Sequence, residues 1–230
     1  MEALLSPAAR STSERRRHRL RLEISREACR LFWELGVAGT SGDRIAEAVD
    51  LSTRTVWRHF RSKESCAEPI VLQGVGWEMS ALRSWPLHLS LDDHLAAEVV
   101  RHESAVGAVE RGDILLAIRM IRLADDEPSI RTAWLMACDQ VEREMTAIIA
   151  GRLGLPADDL VVRLSGAAAS AAFRIVNEDL GAAALRGAVP LDSEAEVIRR
   201  VARAVRDATG GAIGDAVSPL PPRGSPHGLR

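Results

Sequence analysis

The chain has 230 residues and a nearly balanced charge, with 30 Lys and Arg against 32 Asp and Glu. Apolar residues make up 47% and charged residues 27%, which excludes an intrinsically disordered chain and is typical of a globular protein of one or two domains. No apolar run reaches the ~18 residues of a membrane span and the basic N-terminus lacks a signal peptide, so we expect a cytoplasmic protein with no membrane segment.

The N-terminal part of the chain is basic and the rest is acidic. Residues 1–65 hold 13 Lys and Arg against 9 Asp and Glu, whereas the remainder holds 17 against 23. We expect residues 1–13 to be a disordered basic arm. A first helix is predicted over residues 14–35, where apolar residues recur every three or four positions and so share one face: Leu20, Ile24, Ala28, Leu31 and Leu35. Gly36 and Gly39 end that helix.

Residues 41–60 predict two short helices joined by a tight turn. Ser41 is a suitable N-cap, because its hydroxyl can accept a hydrogen bond from an unpaired backbone N–H. Asp50 stands where the chain must turn, and Asp tolerates the left-handed conformation better than most residues. The first of these helices carries a short apolar stripe of Ile45, Ala46 and Val49.

The second short helix combines a narrow apolar face with many hydrogen-bonding side chains. Ser52 or Thr53 caps it, and Val56 and Phe60 face inward at a spacing of four. The remaining side chains point elsewhere, namely Arg54, Thr55, Trp57, Arg58 and His59. This is the layout of a helix-turn-helix whose second helix enters the major groove of DNA.

These residues resemble the N-terminal pattern of the TetR family of transcriptional regulators. The family's elements Phe-x-x-x-Gly, Thr-Thr-x-x-x-Ile-Ala and Tyr-x-x-Phe-x-x-Lys correspond here to Phe32 and Gly36, Thr40-Ser41 with Ile45-Ala46, and Trp57, Phe60 and Lys63. Three positions depart from the pattern: Ser41 replaces the second Thr, Asp50 the turn Gly, and Trp57 the Tyr. The chain has no tyrosine, but the indole N–H of Trp57 can still reach a phosphate.

With this resemblance, we expect Ser41, Trp57 and Lys63 to contact phosphates, assisted by Thr40 and Thr53. Arg54, Thr55, Arg58 and His59 are the candidates to read base edges, an Arg above all, since a guanidinium can bridge a guanine. The predicted DNA-binding residues are Thr40, Ser41, Ser52, Thr53, Arg54, Thr55, Trp57, Arg58, His59 and Lys63. The arginine cluster that precedes or opens the first helix has two interpretations, a contact to the DNA backbone or minor groove and a charged tail that only aids solubility: Arg15, Arg16, Arg17, Arg19 and Arg21.

The rest of the chain predicts helices only, so we expect an all-α fold. Ser62 caps a fourth helix from Lys63 to about Arg83, which Pro69 should kink by removing one helical hydrogen bond. Further helices are predicted over residues 91–110, 113–124, 128–153, 157–186 and 192–209. The predicted domains are a helix-turn-helix DNA-binding domain at residues 14–62, a helical ligand-binding and dimerisation domain at residues 63–210, and a disordered tail at residues 211–230.

Two late helices are suited to pairing between subunits. Small side chains from Gly166 to Ala172 permit close helix approach, and the last helix carries a narrow apolar stripe of Val197, Val201, Val205 and Ala208. Two such helices from each of two subunits would form a four-helix interface, as the resemblance implies. The alternative is ordinary packing within one chain.

The resemblance also implies a small-molecule pocket among the C-terminal helices. Its candidate liners are Trp77, Met79, Met120, Trp134, Met136, Phe173 and Asn177. Of these we expect Trp77, Met120, Trp134, Phe173 and Asn177 to contact the ligand. The alternative for each is plain core, since Met and aromatic residues at helical spacing are common in cores.

No pattern in the chain predicts catalysis, a cofactor or a structural metal. His94, Glu98 and His102 share one helical face and could hold a divalent metal, but a solvated flank is the alternative and we predict no metal. The three cysteines are widely spaced, which favours reduced thiols over a disulfide framework, with a redox-sensing thiol as the alternative.

The predicted function is a ligand-responsive transcriptional regulator, a homodimeric repressor that a small-molecule effector releases from its double-stranded DNA operator. Two other classes remain open. One is a helical ligand-binding protein that has lost sequence-specific DNA binding, and the other is an all-α enzyme.

Overall fold

The computed structural model describes residues 11–186 and 194–217, which contain helices and no strand, so the all-α prediction is confirmed. In chain order the helices are α1 (Thr12–Gly39), α2 (Gly42–Ala48), α3 (Thr53–His59), α4 (Glu68–Gly74), α5 (Gly76–Arg83), α6 (Leu91–Ala105), α7 (Ala108–Leu123), α8 (Pro128–Leu153), α9 (Leu160–Leu185) and α10 (Glu194–Ala208). A 3-10 turn, Glu64–Ala67, precedes α4.

Helix α1 begins earlier than predicted because its first turn is capped. The Ser11 hydroxyl accepts from the Glu14 N–H at 3.2 Å, and the Glu14 carboxylate accepts from the Ser11 N–H at 2.6 Å, which is a capping box. Residues 12 and 13, predicted to be disordered, therefore lie in the helix, while residues 1–10 lie outside the described ranges. The apolar stripe ends near Phe32, and Leu35 is 46% exposed, because the chain leaves the helical conformation at Gly36 (φ 74°, ψ 160°).

The predicted kink at Pro69 is wrong. Pro69 lies in the first turn of α4, where its missing N–H removes no helical hydrogen bond. The predicted helix is divided instead into the 3-10 turn, α4 and α5, with the break between the two helices at Val75. Gly74, just before this break, packs so closely on α7 that a Cβ there would lie 2.4 Å from the Cβ of Ala117.

Helices α8, α9 and α10 pack side by side, with α9 against both of the others. At Gly166 the backbone of α9 nearly touches α8, since a Cβ on this glycine would lie 2.2 Å from the Thr146 hydroxyl oxygen. The small residues of α9 thus do permit a close helix approach, but in this case to a helix of the same chain.

The apolar stripe of α10 is also used within the chain. Val201 and Val205 are 2% and 4% exposed, and α10 packs against α9 and α6. Val197 is only half-buried and Ala208 is exposed, so the predicted use of this stripe at a subunit interface stays a prediction. Its periodicity identifies an apolar face but does not identify the surface that covers it.

Helix α1 is bound to the helical body by polar contacts at two successive residues. The Ser25 hydroxyl donates to the Cys66 carbonyl at 2.5 Å and accepts from the Ile70 N–H at 3.1 Å, which caps α4 from outside. Arg26 makes a bidentate pair with the carboxylate of Asp113 on α7, with both N···O distances 2.7 Å. The helix that begins the predicted DNA-binding domain is thereby linked to α4 and α7.

Residues Leu160–Ala183 of α9 are long and apolar enough, by length and composition alone, to cross a membrane. Core helices of soluble proteins pass the same test, so one such helix is weak evidence for a membrane protein. Here it carries charged residues, including Arg163 and Arg174, and packs between α8 and α10.

Candidate nucleic-acid interface

The turn between α2 and α3 is built from side-chain caps and one left-handed residue. Ser41 caps α2 by accepting from the Arg44 N–H, and Ser52 caps α3 by accepting from the Thr55 N–H, each at 3.2 Å. Asp50 has φ 52° and is the one non-glycine residue with positive φ in the described ranges. An Asp thus adopts the conformation for which glycine is favoured.

Helix α3 has one buried and one exposed face. Val56 and Phe60 are 0% and 4% exposed, as predicted, and the Arg21 guanidinium lies 4.9 Å from the centre of the Phe60 ring. Arg54 and Arg58 are exposed and lie one turn apart. The contacts of the described residues give neither guanidinium a hydrogen-bond or ion-pair partner, so both remain available to an external ligand.

Trp57 packs across the start of α2. Its ring so closely covers Gly42 that a Cβ at that glycine would lie 2.1 Å from Cζ2 of the indole, although the side chain is still 41% exposed. Gly42 is therefore needed for the α2–α3 packing, and the residue pattern gave no separate indication of this role.

Besides the capping serines, three more predicted DNA contacts donate hydrogen bonds inside the domain. The Thr40 hydroxyl, 1% exposed, donates to the Gly36 carbonyl at 2.9 Å. The Lys63 ammonium donates to the carbonyls of Val37 and Thr40 at 2.6 and 2.9 Å, which leaves one of its three N–H groups for a phosphate. The Thr53 hydroxyl donates to the Asp43 carboxylate at 2.7 Å. Their contact with DNA stays a prediction.

His59 lies against α1 with its ring turned inward. Both ring nitrogens are buried and have no hydrogen-bond partner among the described residues. Burial lowers the pKa of the imidazole, and the positive charges of Arg58, Arg17 and Arg21 lower it further. The ring must therefore rotate outward before it can meet a base edge. Arg21, which donates to the His59 carbonyl at 3.1 Å, positions this end of α3 and was not predicted to do so.

The arginine cluster lies on the exposed first turns of α1. Every residue from position 12 to 19 is exposed, so Arg15, Arg16, Arg17 and Arg19 project from a helix rather than from a disordered arm, whereas Arg21 is half-buried against Phe60. Neighbouring residues of a helix point in different directions, so these arginines lie around the exposed start of α1, and both interpretations of the cluster remain compatible with this placement.

The predicted ligand-binding residues lie in the helical body, three of them in its core. Met120, Trp134 and Phe173 are completely buried, and the Trp134 N–H donates to Glu178 at 2.8 Å. The Asn177 amide donates to the Phe173 carbonyl at 3.0 Å. The ring of Trp77 lies 4.6 Å from that of His102.

A cavity of about 20 Å³ lies elsewhere in the body. Its lining is wholly apolar and consists of Leu82, Trp85, Leu91, Met145, Ile148, Ile149, Ala169, Val201, Val205 and Ile213. None of the five predicted ligand-binding residues lines it, so their role in binding stays a prediction.

The row His94, Glu98 and His102 does not form a metal site. The ring Nε2 of His94 is 2.7 Å from the Ala81 carbonyl and 3.9 Å from Glu98, and Glu98 pairs with Arg101. Within residues 11–186 and 194–217, no group of three His, Cys, Asp or Glu side chains could hold a metal ion.

All three cysteines are free and buried. Burial raises the pKa of Cys66 and of Cys138 to about 12 and raises the pKa of Cys29 as well. The reactive thiolate form is therefore suppressed at neutral pH, which favours inert thiols over redox sensors.

One apolar face of α9 points away from the bundle. Leu160, Leu164 and Ile175 are 66%, 61% and 56% exposed, at positions that share one side of the helix. Beside it, α8 and α9 border an open groove of about 610 Å³. An exposed apolar stripe of this length is typical of an interaction surface.

Comparison with known proteins covers both halves of the chain. The family model described as bacterial regulatory proteins, tetR family, matches residues 24–70, and the MftR C-terminal domain model matches residues 96–184. The HTH-type transcriptional regulator TcmR of Streptomyces glaucescens is 31% identical over 166 residues, which are 67% of this chain and 72% of TcmR.

Among solved structures, the chain matches GusR of Salmonella enterica at 21% identity and a TM-score of 0.48. The match covers 84% of this chain and 94% of GusR. Another match is FadR of Thermus thermophilus, a TetR-family repressor in complex with lauroyl-CoA, at 17% identity and a TM-score of 0.46, which covers 91% of this chain and 100% of FadR. Given the helix-turn-helix geometry, the two family models and the identity to TcmR, this chain belongs to the TetR family of DNA-binding transcriptional regulators.

Proposed function

We propose that this chain is a homodimeric repressor that leaves its operator when a small molecule binds its helical body. Residues 14–62 bind DNA, and residues 63–210 bind the effector and a second copy of the chain. The observation that carries the proposal is the exposed face of α3, where Arg54 and Arg58 stand free on a helix whose other face is anchored by buried Val56 and Phe60.

In this proposal Arg54 and Arg58 read base edges in the major groove. An arginine can donate two hydrogen bonds to O6 and N7 of guanine, and both side chains are exposed. Ser41, Trp57 and the third N–H of Lys63 contact phosphates and set the register. Thr55 has less freedom, because its hydroxyl is 2.8 Å from the hydroxyl of Ser52.

The second copy binds to the exposed face of α9. A two-fold dimer places two recognition helices on successive turns of the major groove, which supplies the affinity that one short helix lacks. The apolar side chains Leu160, Leu164 and Ile175 support this choice of surface, since all three are more than half exposed in the single chain.

Effector binding reaches α1 through the contacts at Ser25 and Arg26. The first caps α4 and the second pairs with Asp113 on α7, so a shift of either helix moves the start of the DNA-binding domain. The effector must bind the released state more tightly than the DNA-bound state, since equal affinity would shift nothing.

The first experiment is a titration of the purified chain against the DNA immediately upstream of its own gene, at two salt concentrations and beside a random duplex. We expect tighter binding to the upstream fragment and a steep loss of affinity at high salt, because phosphate contacts release counterions. The double variant Arg54→Ala, Arg58→Ala should lose the preference. Arg203→Ala, which removes an exposed arginine of the body (85% exposed), should keep it.

Equal binding to both duplexes by the unchanged chain would contradict a specific operator in that fragment. Absence of binding at low salt would contradict the DNA-binding function altogether. Loss of preference in the Arg203→Ala control would show that general charge, rather than the α3 face, determines the affinity.

A further inference from the structure

The apolar cavity of the body is closed on one side by the segment that follows α10. Residues 209–217 form this segment, called here the C-terminal strap. Of its side chains only Ile213 is buried, at 4% exposure, and Ile213 is also the strap's contribution to the cavity lining. The other cavity walls come from α5, α6, α8, α9, α10 and Trp85. The strap therefore covers the cavity with a single apolar side chain.

Three hydrogen bonds help to hold the strap in place. The Leu91 N–H donates to the Gly214 carbonyl and the Val217 N–H donates to the Leu87 carbonyl, both at 2.7 Å. Arg152 donates to the Asp215 carbonyl at 3.0 Å. Water can replace each of these partners when the strap lifts, and the apolar surface that is then exposed is the Ile213 side chain and the cavity wall beneath it.

Arg152 joins the strap to a wall of the cavity. Besides Asp215 it donates to the Pro86 carbonyl at 3.1 Å, and its guanidinium lies 3.3 Å from the centre of the Trp85 ring. Trp85 lines the cavity, and its own N–H is taken by the Leu89 carbonyl at 2.9 Å. The same arginine therefore holds both the cover and the aromatic wall beneath it.

The backbone of the strap can act as a hinge. Gly210 and Gly211 follow α10 with φ 60° and 80°, and Gly214 has φ 132°, conformations that side chains other than glycine rarely adopt. A Cβ at Gly214 would lie 3.0 Å from Nε of Arg206, which itself pairs with Asp92 on α6. Glycines thus stand at the start of the strap and beside its buried residue.

We propose that this cavity is the binding site for an uncharged apolar ligand, a hydrocarbon chain or ring, which enters when the strap lifts and takes the place of Ile213. The lining offers no free polar group, so a charged or strongly polar group inside it would lose its hydrogen bonds to water without replacement. At about 20 Å³ the closed cavity holds little more than one water, and the room for a ligand comes from the departure of Ile213. The regulatory meaning of this site rests on the proposed function, but the binding itself does not.

The test uses the full chain and the uncharged fluorescent compound N-phenyl-1-naphthylamine, whose emission rises in apolar surroundings. Ile213→Ala should bind it about tenfold more tightly than the unchanged chain, because the apparent Kd of a closed site is the intrinsic Kd divided by the open fraction. Gly214→Ala should also tighten binding, since it strains the strap and leaves every lining side chain in place. Adding Ala169→Leu to Ile213→Ala should abolish the gain by filling the cavity.

The matched control is Ile198→Ala, which truncates an equally buried isoleucine of α10 (3% exposed) that does not line the cavity. Its affinity for the compound should equal that of the unchanged chain. Equal affinities of Ile213→Ala and Ile198→Ala would overturn the proposal, as would undiminished binding with Ala169→Leu present. Melting curves show whether Ile213→Ala is folded. If it is not, Gly214→Ala decides the result: tighter binding of the compound supports the proposal, and unchanged binding overturns it.

The same samples are titrated against the upstream DNA. A gain in compound binding without any DNA binding would leave the cavity inference intact and contradict the proposed function. DNA binding without a gain in compound binding would support the proposed function and contradict the cavity inference.

Discussion

Arg54 and Arg58 lie one turn apart on α3, and both are free of partners among the described residues. We expect Arg58→Ala to weaken binding to the operator by about 1–3 kcal/mol and to relax the preference at one base position. Competition titrations with single-base operator variants measure both effects.

The control for Arg58→Ala is the same titration on random DNA. A residue that reads a base should change the affinity for random DNA little. Equal losses on operator and random DNA would make Arg58 a phosphate contact instead.

His59 carries a pH dependence of stability. Its pKa is lowered in the folded chain by burial and by Arg58, Arg17 and Arg21, so the unfolded chain binds this proton at a higher pH than the folded chain does. Stability from the neutral ring is therefore present above the ordinary histidine pKa of about 6.5 and is lost as the pH falls through it. We expect the free energy of unfolding to decrease on acidification, and to decrease less in His59→Gln.

Urea unfolding of the two proteins at neutral and mildly acidic pH measures this difference. His88→Gln, which removes an exposed histidine, serves as the comparison and should keep the acid-induced loss. If His59→Gln and the unchanged chain lose the same free energy, the ring is not held neutral by folding.

At the scale of elements, local sequence signals predicted the helices well where both ends are decided locally. The bounds of α8 agree with the prediction, since Pro128 and Gly154 mark its ends. The assignment of Pro69 failed because the start of α4 is determined by the Ser25 hydroxyl, which lies 45 residues away along the chain. A proline kinks the interior of a helix but not its first turn. Here a tertiary contact determines where the helix begins, and therefore that Pro69 lies in the first turn.

In the candidate DNA site, too, local sequence signals predicted the exposed face but not the tertiary contacts. The outward face of α3 followed from its spacing, because Val56 and Phe60 leave Arg54 and Arg58 on the other side. The internal use of Lys63 did not follow, since its two carbonyl partners, Val37 and Thr40, belong to the end of another helix. Periodicity predicts which side chains are buried, but it cannot predict which partners a long polar side chain finds.

Substitution of Gly74 tests whether the close packing of α4 on α7 contributes to stability. Gly74→Ala would place a methyl group 2.4 Å from the Cβ of Ala117, so the two helices must separate, at a cost of about 1–3 kcal/mol of unfolding free energy. Gly76→Ala is the matched change, since nothing lies within 4 Å of its added Cβ. It should leave stability unchanged or raise it slightly.

Thermal and urea unfolding of both alanine variants give the comparison. Because α4 is also capped by Ser25 from α1, Gly74→Ala should further change how strongly an effector weakens DNA binding. Equal stabilities of the two variants would mean that α4 and α7 separate at no cost.

At the scale of the whole molecule, the proposed homodimer is what would bring two recognition helices to the DNA. Leu164→Glu places a charge in the centre of the exposed α9 face, and a two-fold interface contains this change twice. We expect a loss of about 2 kcal/mol or more of association free energy and a shift from dimer to monomer in sedimentation. Specific operator binding should fall with it, because one recognition helix remains per particle.

Val100→Glu is the control for Leu164→Glu. Val100 is 69% exposed on α6, close to the 61% of Leu164, so both changes add the same charge at an exposed apolar residue. A monomer produced by both variants would place the interface elsewhere or over a wider surface than α9.

The neighbouring contacts of Ser25 and Arg26 affect how this chain can be recombined with its relatives. A hybrid joined after Ser62 would bring a foreign α1 to the native α4 and α7, and Ile70 and Asp113 would then face residues not selected to bond them. The unit of exchange is therefore larger than the helix-turn-helix, because it must include those two partners. New operator specificities should be grafted by replacing exposed residues of α3, with α1 left native.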